Sequence, residues 1–350
     1  MERRFSLAVR LSAMISLLIV VLLGAVIAMI GINLQRSVAA LVSEENKQIA
    51  EARAAEIGKL LDSYRWQLTV LSAQDFLTRG DKGAAEDLML KEMIKHVSQD
   101  VGTVLVVWSD GSAKTAAGGY VNVAERGYFK AVFGEKKDYV IGDVAISKAT
   151  NLPAVIIAKA IRAPGGETRG IAAFEIKMET LSGIAASIKL GSTGYGWIID
   201  QRGLVIAHPT KEAVLALDVT NADKDGYKGL DALGKRMLSS EKGQGDYVRK
   251  DGVEMMTFFA RVPNSPGWVL GLSVERREVF ATVTELLGLL LAILVVGIAL
   301  SILVAVFIAR SIARPVSFTA ATMRMMAEGD LRARATISPT AAGWRSAATR

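Results

Sequence analysis

The chain contains no cysteine, only two histidines and seven prolines, and its aromatic share is 6%. Without cysteine there can be no disulfide, no thiolate metal ligand and no cysteine nucleophile. His96 and His208 lie far apart in the sequence. A metal centre needs convergent ligands, so no metal and no other cofactor is expected. The phosphate-cradling loop Gly-x-x-x-x-Gly-Lys-Ser/Thr and the nucleophile elbow Gly-x-Ser-x-Gly are both missing. No nucleophile is set beside a base, which makes an enzyme, such as a hydrolase, the weak rival reading. The 12 methionines read as packing material, not as metal ligands.

Apolar residues, in contrast, are plentiful: 51% of the chain, with a mean hydropathy of +0.32. Much of the excess is concentrated in two uncharged runs, 25 residues from Leu11 to Gln35 and 24 from Leu286 to Ala309. Each is long enough to cross a hydrocarbon layer of about 30 Å as a helix. The first run exceeds the roughly 7–15 apolar residues of a secretory signal, so it reads as an uncleaved anchor. Residues 1–10 carry a net charge of +2 and residues 310–350 carry +5, which accounts for the whole net charge of +7. Arginines flanking spans stay on the cytoplasmic side. The expected topology is two-pass, with both termini cytoplasmic and about 250 residues outside. The pI near 9.5 then reflects topology. No basic, aromatic-interleaved patch in the middle suggests nucleic acid.

Between the runs, Arg36 to Leu71 has helical periodicity, with Val42, Ile49, Ile57, Leu60, Leu61, Tyr64, Leu68 and Leu71 near steps of three, four and seven. This seam would face either its own domain or a second copy. A second helix is expected over Ala84 to Val97. Val104 to Trp108 reads as a buried strand, with a turn at Asp110-Gly111. Similar turns at Asp200 to Gly203 and Lys250 to Gly252 separate strand-like runs at Gly196–Ile199, Leu204–Ala207, Tyr247–Arg249 and Met255–Ala260, with Trp268–Val274 last. The pattern implies an α+β fold: a long helix followed by two tandem modules, divided near Ser187 to Gly194.

These segments resemble the double Cache sensor domain of bacterial methyl-accepting chemotaxis proteins and sensor kinases. The first module resembles it through Trp108-Ser109-Asp110-Gly111, Arg126-Gly127-Tyr128-Phe129 and Gly170 to Ile176. The second does so through Gly194 to Pro209 and Ser265 to Phe280. The resemblance covers about residues 36–280, with PAS-like modules at about 100–187 and 188–280. It implies a cytoplasmic start (1–10), transmembrane helices at 11–35 and 284–309, and a bacterial inner-membrane location with the sensor domain extracytoplasmic. It also implies homodimers in the lipid bilayer. Residues 310–334, with Gly329-Asp330-Leu331 near their end, resemble the first half of a HAMP linker. The expected second amphipathic helix does not follow, so residues 335–350 read as a disordered tail of a truncated or frame-changed product. Sensor input to a histidine kinase or diguanylate cyclase, or a scaffold role, is the alternative.

Arg126 is the first candidate for ligand contact, because a guanidinium offers a planar fork of donors to a carboxylate. Its competing role is a surface salt bridge with Glu125 or Glu135. Tyr128 would add a hydroxyl and Phe129 an apolar wall. In amino-acid-binding members of the family an Arg-x-Trp-Tyr group holds the ligand carboxylate and a later acid holds the amine. Here the pair is Tyr128-Phe129, and Glu175 stands at the acid position, with pairing to Lys177 as its alternative. Tyr120, Trp108, Asp143 and Ser147 are further candidates on neighbouring strands or the loop above them, against core roles for the aromatics and turn capping for Asp143. The expected ligand is a small organic carboxylate or amino acid in the first module.

Overall fold

The computed structural model describes residues 7–91, 95, 101–115 and 118–308. The HAMP-like stretch, the tail and His96 lie outside the described residues. The chain divides into two units, one of residues 39–281 and one of residues 1–38 with 282–350.

Helix α1 runs unbroken over Leu7–Ser72, and the short helix α2 (Asp75–Thr78) and α3 (Lys82–Lys91) follow. The second helix thus starts slightly before the sequence expectation, and most of its expected end is outside the described residues. The first sheet holds β1 (Val101–Trp108), β2 (Ser112–Lys114), β3 (Tyr120–Asn122), then helix α4 (Gly127–Phe133), and β4 (Tyr139–Ile141), β5 (Ala145–Ile146), β6 (Pro153–Arg162) and β7 (Thr168–Lys177). Its order is β3-β2-β1-β7-β6-β4, with β5 also on β6, and its ladders are antiparallel. Helix α5 (Met178–Ser187) leads to the second sheet: β8 (Tyr195–Ile199), β9 (Val205–Ala207), helix α6 (Leu230–Ser239), β10 (Lys242–Val248), β11 (Glu254–Arg261) and β12 (Val269–Glu275). Its order is β10-β11-β12-β8-β9. The chain then passes through α7 (Arg276–Val279) into α8 (Ala281–Ile308). The expected strands of the second module all appear, although β10 begins five residues before Tyr247. This is the α+β arrangement of two modules behind one long helix.

The helical seam packs on its own domain. Ala50, Ala54, Ile57, Leu61, Tyr64, Leu68 and Leu71 alternate in steps of four and three and are buried in one core with both sheets. The earlier part of the helix meets the second sheet: Glu51 pairs with Lys242 at 2.7 Å, and Asp62 accepts from Asn264 at 2.7 Å. Gly58 lets Pro263 approach; a Cβ there would lie 2.9 Å from its carbonyl oxygen. Further along, Tyr64 meets Phe174 of the first sheet edge-on at 6.4 Å.

Strand parity divides the remaining apolar residues. Val104, Val106, Ala172, Phe174 and Ile176 face the core that includes α1, whereas Leu105, Val107, Ile171 and Ala173 face a second cluster with Tyr128 and Val132 of α4. Both faces of β1 and β7 are therefore buried, which explains their nearly continuous apolar runs. In the second sheet Trp197, Ile199, Phe259 and Val269 form a separate cluster with Leu230, Leu233 and Met237 of α6.

Among the described residues two helices are long and apolar enough to cross a membrane: Leu17–Ser72, whose apolar window has a mean hydropathy of 2.8, and Val283–Val304 at 3.0. These agree in position with the two uncharged runs.

A carboxylate joins the start of the second module to its end. Glu278 in α7 accepts from the backbone N–H of Ser192 at 2.6 Å and of Thr193 at 2.9 Å, from the Ser192 hydroxyl at 2.9 Å and from the Thr193 hydroxyl. The Thr193 hydroxyl and then the Ser192 N–H lower its carboxyl from 4.5 to about 2.

Two outcomes are expected. Because the folded value is depressed, the Glu278 contribution is present above pH 4.5 and is lost as pH falls through about 2. Urea titrations between pH 2 and 6 should show a shallower acid loss for Glu278→Gln than for wild type. A Cβ on Gly271 would lie 2.7 Å from the Trp197 ring, so Gly271→Ala should cost about 1–3 kcal/mol of stability by overpacking, read in the same titration.

Candidate functional site

The ordered arrangement on the α4 face of the first sheet follows from local chemistry. Arg126 precedes the first turn of α4 in extended conformation, so its side chain leaves the helix start instead of lying along the helix. Its Nη2 donates to the carbonyl of Ile146 at 2.8 Å, reaching across to the end of β5. Between them lies a cavity of about 240 Å³. Arg126, Tyr128, Asp143 and Ser147 line it together, over an apolar floor that includes Leu105, Val123 and Ile156.

The competing salt bridge is not formed. Glu125 pairs with Lys130 at 3.0 Å and Glu135 with Lys137 at 2.8 Å. Among the described residues Arg126 makes no ion pair, leaving its charge available to the cavity. Tyr128 is buried, and burial pushes its phenol pKa up; nearby Arg126 lowers it and Glu175 raises it further. The hydroxyl is therefore a neutral hydrogen-bonding group at ordinary pH.

Asp143 has a second connection. Its Oδ1 accepts from Gln201 Nε2 at 3.1 Å, and Gln201 belongs to the turn between β8 and β9 of the second sheet. Asp143 therefore lines the first-sheet cavity and also touches the second module. No turn cap by its side chain is seen among the described residues.

The other candidates named from the sequence are better described as supports. Glu175 is fully buried (0% exposed) on β7. It is not among the cavity walls: its oxygens accept from the hydroxyls of Ser147 and Thr150, each at 2.5 Å. Ser147 in turn accepts from the N–H groups of Ala149 and Thr150 at 3.0 and 3.3 Å. Glu175 thus holds the 147–150 loop that covers the cavity, and no pairing with Lys177 is seen among the described residues. Phe129 turns along α4 to stack on Phe133 at 4.6 Å. Trp108 and Tyr120 sit elsewhere. They donate to opposite oxygens of buried Glu86, at 2.8 and 2.5 Å. Strand parity explains Trp108, which shares the face of Val104 and Val106.

One polar wall escaped the sequence reading. Lys148 lines the cavity and donates to the Asn122 carbonyl at 2.7 Å. Its position next to Ser147, already a candidate, was the available signal. The resulting cavity offers two cations, Arg126 and Lys148, and two carboxylates, Asp143 and Glu125, of which Glu125 is already paired with Lys130. A zwitterion or small monoanion matches this charge distribution. Among the described residues no cluster of three or more His, Cys, Asp or Glu could hold a metal ion.

Glu175→Ala should leave two half-buried hydroxyls without their acceptor, at a cost of about 1–3 kcal/mol. The expected result is a lower denaturation midpoint together with faster amide hydrogen exchange over residues 147–152. Unchanged exchange there would mean that the carboxylate does not order the loop.

The fold agrees with comparisons to known proteins. The Cache domain family matches residues 34–283. Methyl-accepting chemotaxis protein McpA of Bacillus subtilis (strain 168) is 23% identical over 210 residues, covering 60% of this chain and 29% of that protein. The chain thus spans less than a third of that relative. Among solved structures, the ligand-binding domain of the Pseudomonas fluorescens chemoreceptor CtaA, in complex with L-isoleucine, aligns with a TM-score of 0.56 at 16% identity, over 71% of this chain and 98% of that one. The ligand-binding domain of the Pseudomonas aeruginosa PAO1 amino acid chemoreceptor PctB, in complex with L-Arg, gives a TM-score of 0.54 at 15% identity, over 69% and 97%.

Proposed function

The chain belongs to the double Cache-domain family, and from that premise we propose that it is the sensor part of a chemoreceptor, binding a small organic carboxylate or amino acid in its first module. The observation that carries this reading is Arg126, a guanidinium on a cavity wall with no carboxylate partner of its own among the described residues. The ligand carboxylate would meet the Arg126 fork, with Tyr128 as a neutral hydrogen-bonding group beside it. An amino group, where the ligand has one, would lie toward Asp143. The amino acids bound by CtaA and PctB support this ligand class.

Binding signals only if the ligand favours one conformer over another, and a difference of about 1–3 kcal/mol is typical of such coupling. Two contacts suit transmission. A ligand that draws on Asp143 acts on its bond to Gln201, and so on the turn of the second module. At the far end, Glu278 ties residues 192–193 to α7, which continues into α8 through Phe280. The output would be a small displacement of α8 as a second membrane span, read by the HAMP-like segment. Both termini would be cytoplasmic, the two modules extracytoplasmic, and the working unit a homodimer in the bilayer. The charge asymmetry of the sequence and the two apolar helices support this topology.

Isothermal titration of the full chain in lipid nanodiscs with amino acids and short carboxylates tests the reading. Arg126→Ala should weaken binding roughly 10- to 100-fold, as expected for losing a charge-assisted hydrogen bond. Equal affinity in wild type and variant would overturn the assignment.

A further inference from the structure

A second cavity, independent of the Arg126 site, lies on the α6 face of the second sheet. It measures about 370 Å³, larger than the first and within the range of small-molecule sites, about 300–1,000 Å³. Its walls are unusually aromatic for a chain so poor in aromatics: Tyr195, Trp197, Tyr227, Tyr247 and the imidazole of His208 all line it. They are held in place by specific contacts. Trp197 donates from Nε1 to Ser273 at 2.8 Å, and its ring lies over Gly271, where no side chain would fit. The Tyr195 and Tyr247 hydroxyls are 3.3 Å apart. Tyr195 meets His208 edge-on at 5.3 Å, and Tyr227 lies 6.3 Å from Tyr247. Such ring spacings suit offset or edge-on contact with a further aromatic ring.

Charge narrows the ligand class. Arg249 and Asp251 at the rim satisfy each other through two contacts, Nε to Oδ1 at 3.2 Å and Nη2 to Oδ2 at 2.6 Å. Lys250, also on the rim, stands 5.1 Å over the Tyr227 ring and makes no ion pair among the described residues. His208 accepts from the Thr210 N–H through Nδ1 at 2.9 Å, and burial lowers its pKa. It is thus a neutral ring with its proton on Nε2. Within its own walls the cavity therefore carries one unpaired positive charge, neutral donors and flat apolar surfaces. The lone ammonium disfavours cationic ligands. Glu212 and Asp225 line the adjoining groove that shares Tyr227 and Lys250, and they disfavour a second negative charge. We propose that this cavity is a binding site for a small aromatic monocarboxylate, with its ring among the tyrosines and Trp197 and its carboxylate at Lys250.

The test uses 4-fluorobenzoate as probe, followed by 19F NMR with the full chain in nanodiscs. Binding should be saturable. It should weaken about tenfold in Lys250→Gln, the loss of one ion pair in a partly desolvated site, and more in Tyr227→Ala. It should be unchanged in Arg126→Ala, so that failure here is distinct from failure of the amino-acid reading. Neutral 4-fluorobenzyl alcohol should bind at least tenfold more weakly than the acid. The proposal is overturned by lack of saturable binding, by equal affinity for acid and alcohol, by binding that survives both Lys250→Gln and Tyr227→Ala, or by loss in Arg126→Ala. Native-like denaturation midpoints for Lys250→Gln, at the cavity rim, separate loss of contact from loss of fold.

Discussion

Seven side chains of α1, from Ala50 to Leu71, are withdrawn from water by two sheets at once. Each sheet uses a different length of the same helix, so neither module has a complete core alone. The helix acts as a shared spine, and the position of one module is fixed relative to the other within the 39–281 unit. Hydrophobic burial is non-directional; what gives it direction here is the alternation of four- and three-residue steps on the helix and two-residue parity on the strands. Both cavities are arranged on the faces that the spine leaves uncovered.

Those faces are used differently. In the first module the cavity is narrow, charged and covered by a loop that Glu175 secures from below. In the second it is wider, aromatic and bordered by an ion pair that is already satisfied. The two are not isolated. Asp143 belongs to the wall of one and bonds to a turn of the other module. That bond is a short physical route between modules that does not pass through the core.

Much of the architecture was legible because it depends on local pattern. Uncharged runs marked the two apolar helices, and alternating strands with Gly-containing turns marked the second sheet. The Arg126 position was legible for a different reason: a guanidinium beside two aromatics, in a segment that resembles the family's binding stretch, is suited to a carboxylate. What failed to show was the partner across space. Trp108 and Tyr120 were candidates for the site set against core roles, and both hold Glu86, which is distant in sequence and carries no motif. Parity alone would have placed Trp108 correctly. Glu175 was placed close to the cavity, but its two hydroxyl donors come from a loop whose fold could not be inferred from composition. Phe129 was misplaced because its helix was not recognised, and the i to i+4 contact with Phe133 follows only once it is.

The Glu278 joint has a further consequence. Its four donors are two amide N–H groups and two hydroxyls, with no lysine or arginine among them. Attraction between opposite full charges fades as mobile ions accumulate around them, whereas a carboxylate seated among neutral donors has little of that attraction to lose. The fastening ahead of α8 should therefore keep its shape in fresh water and in brine alike.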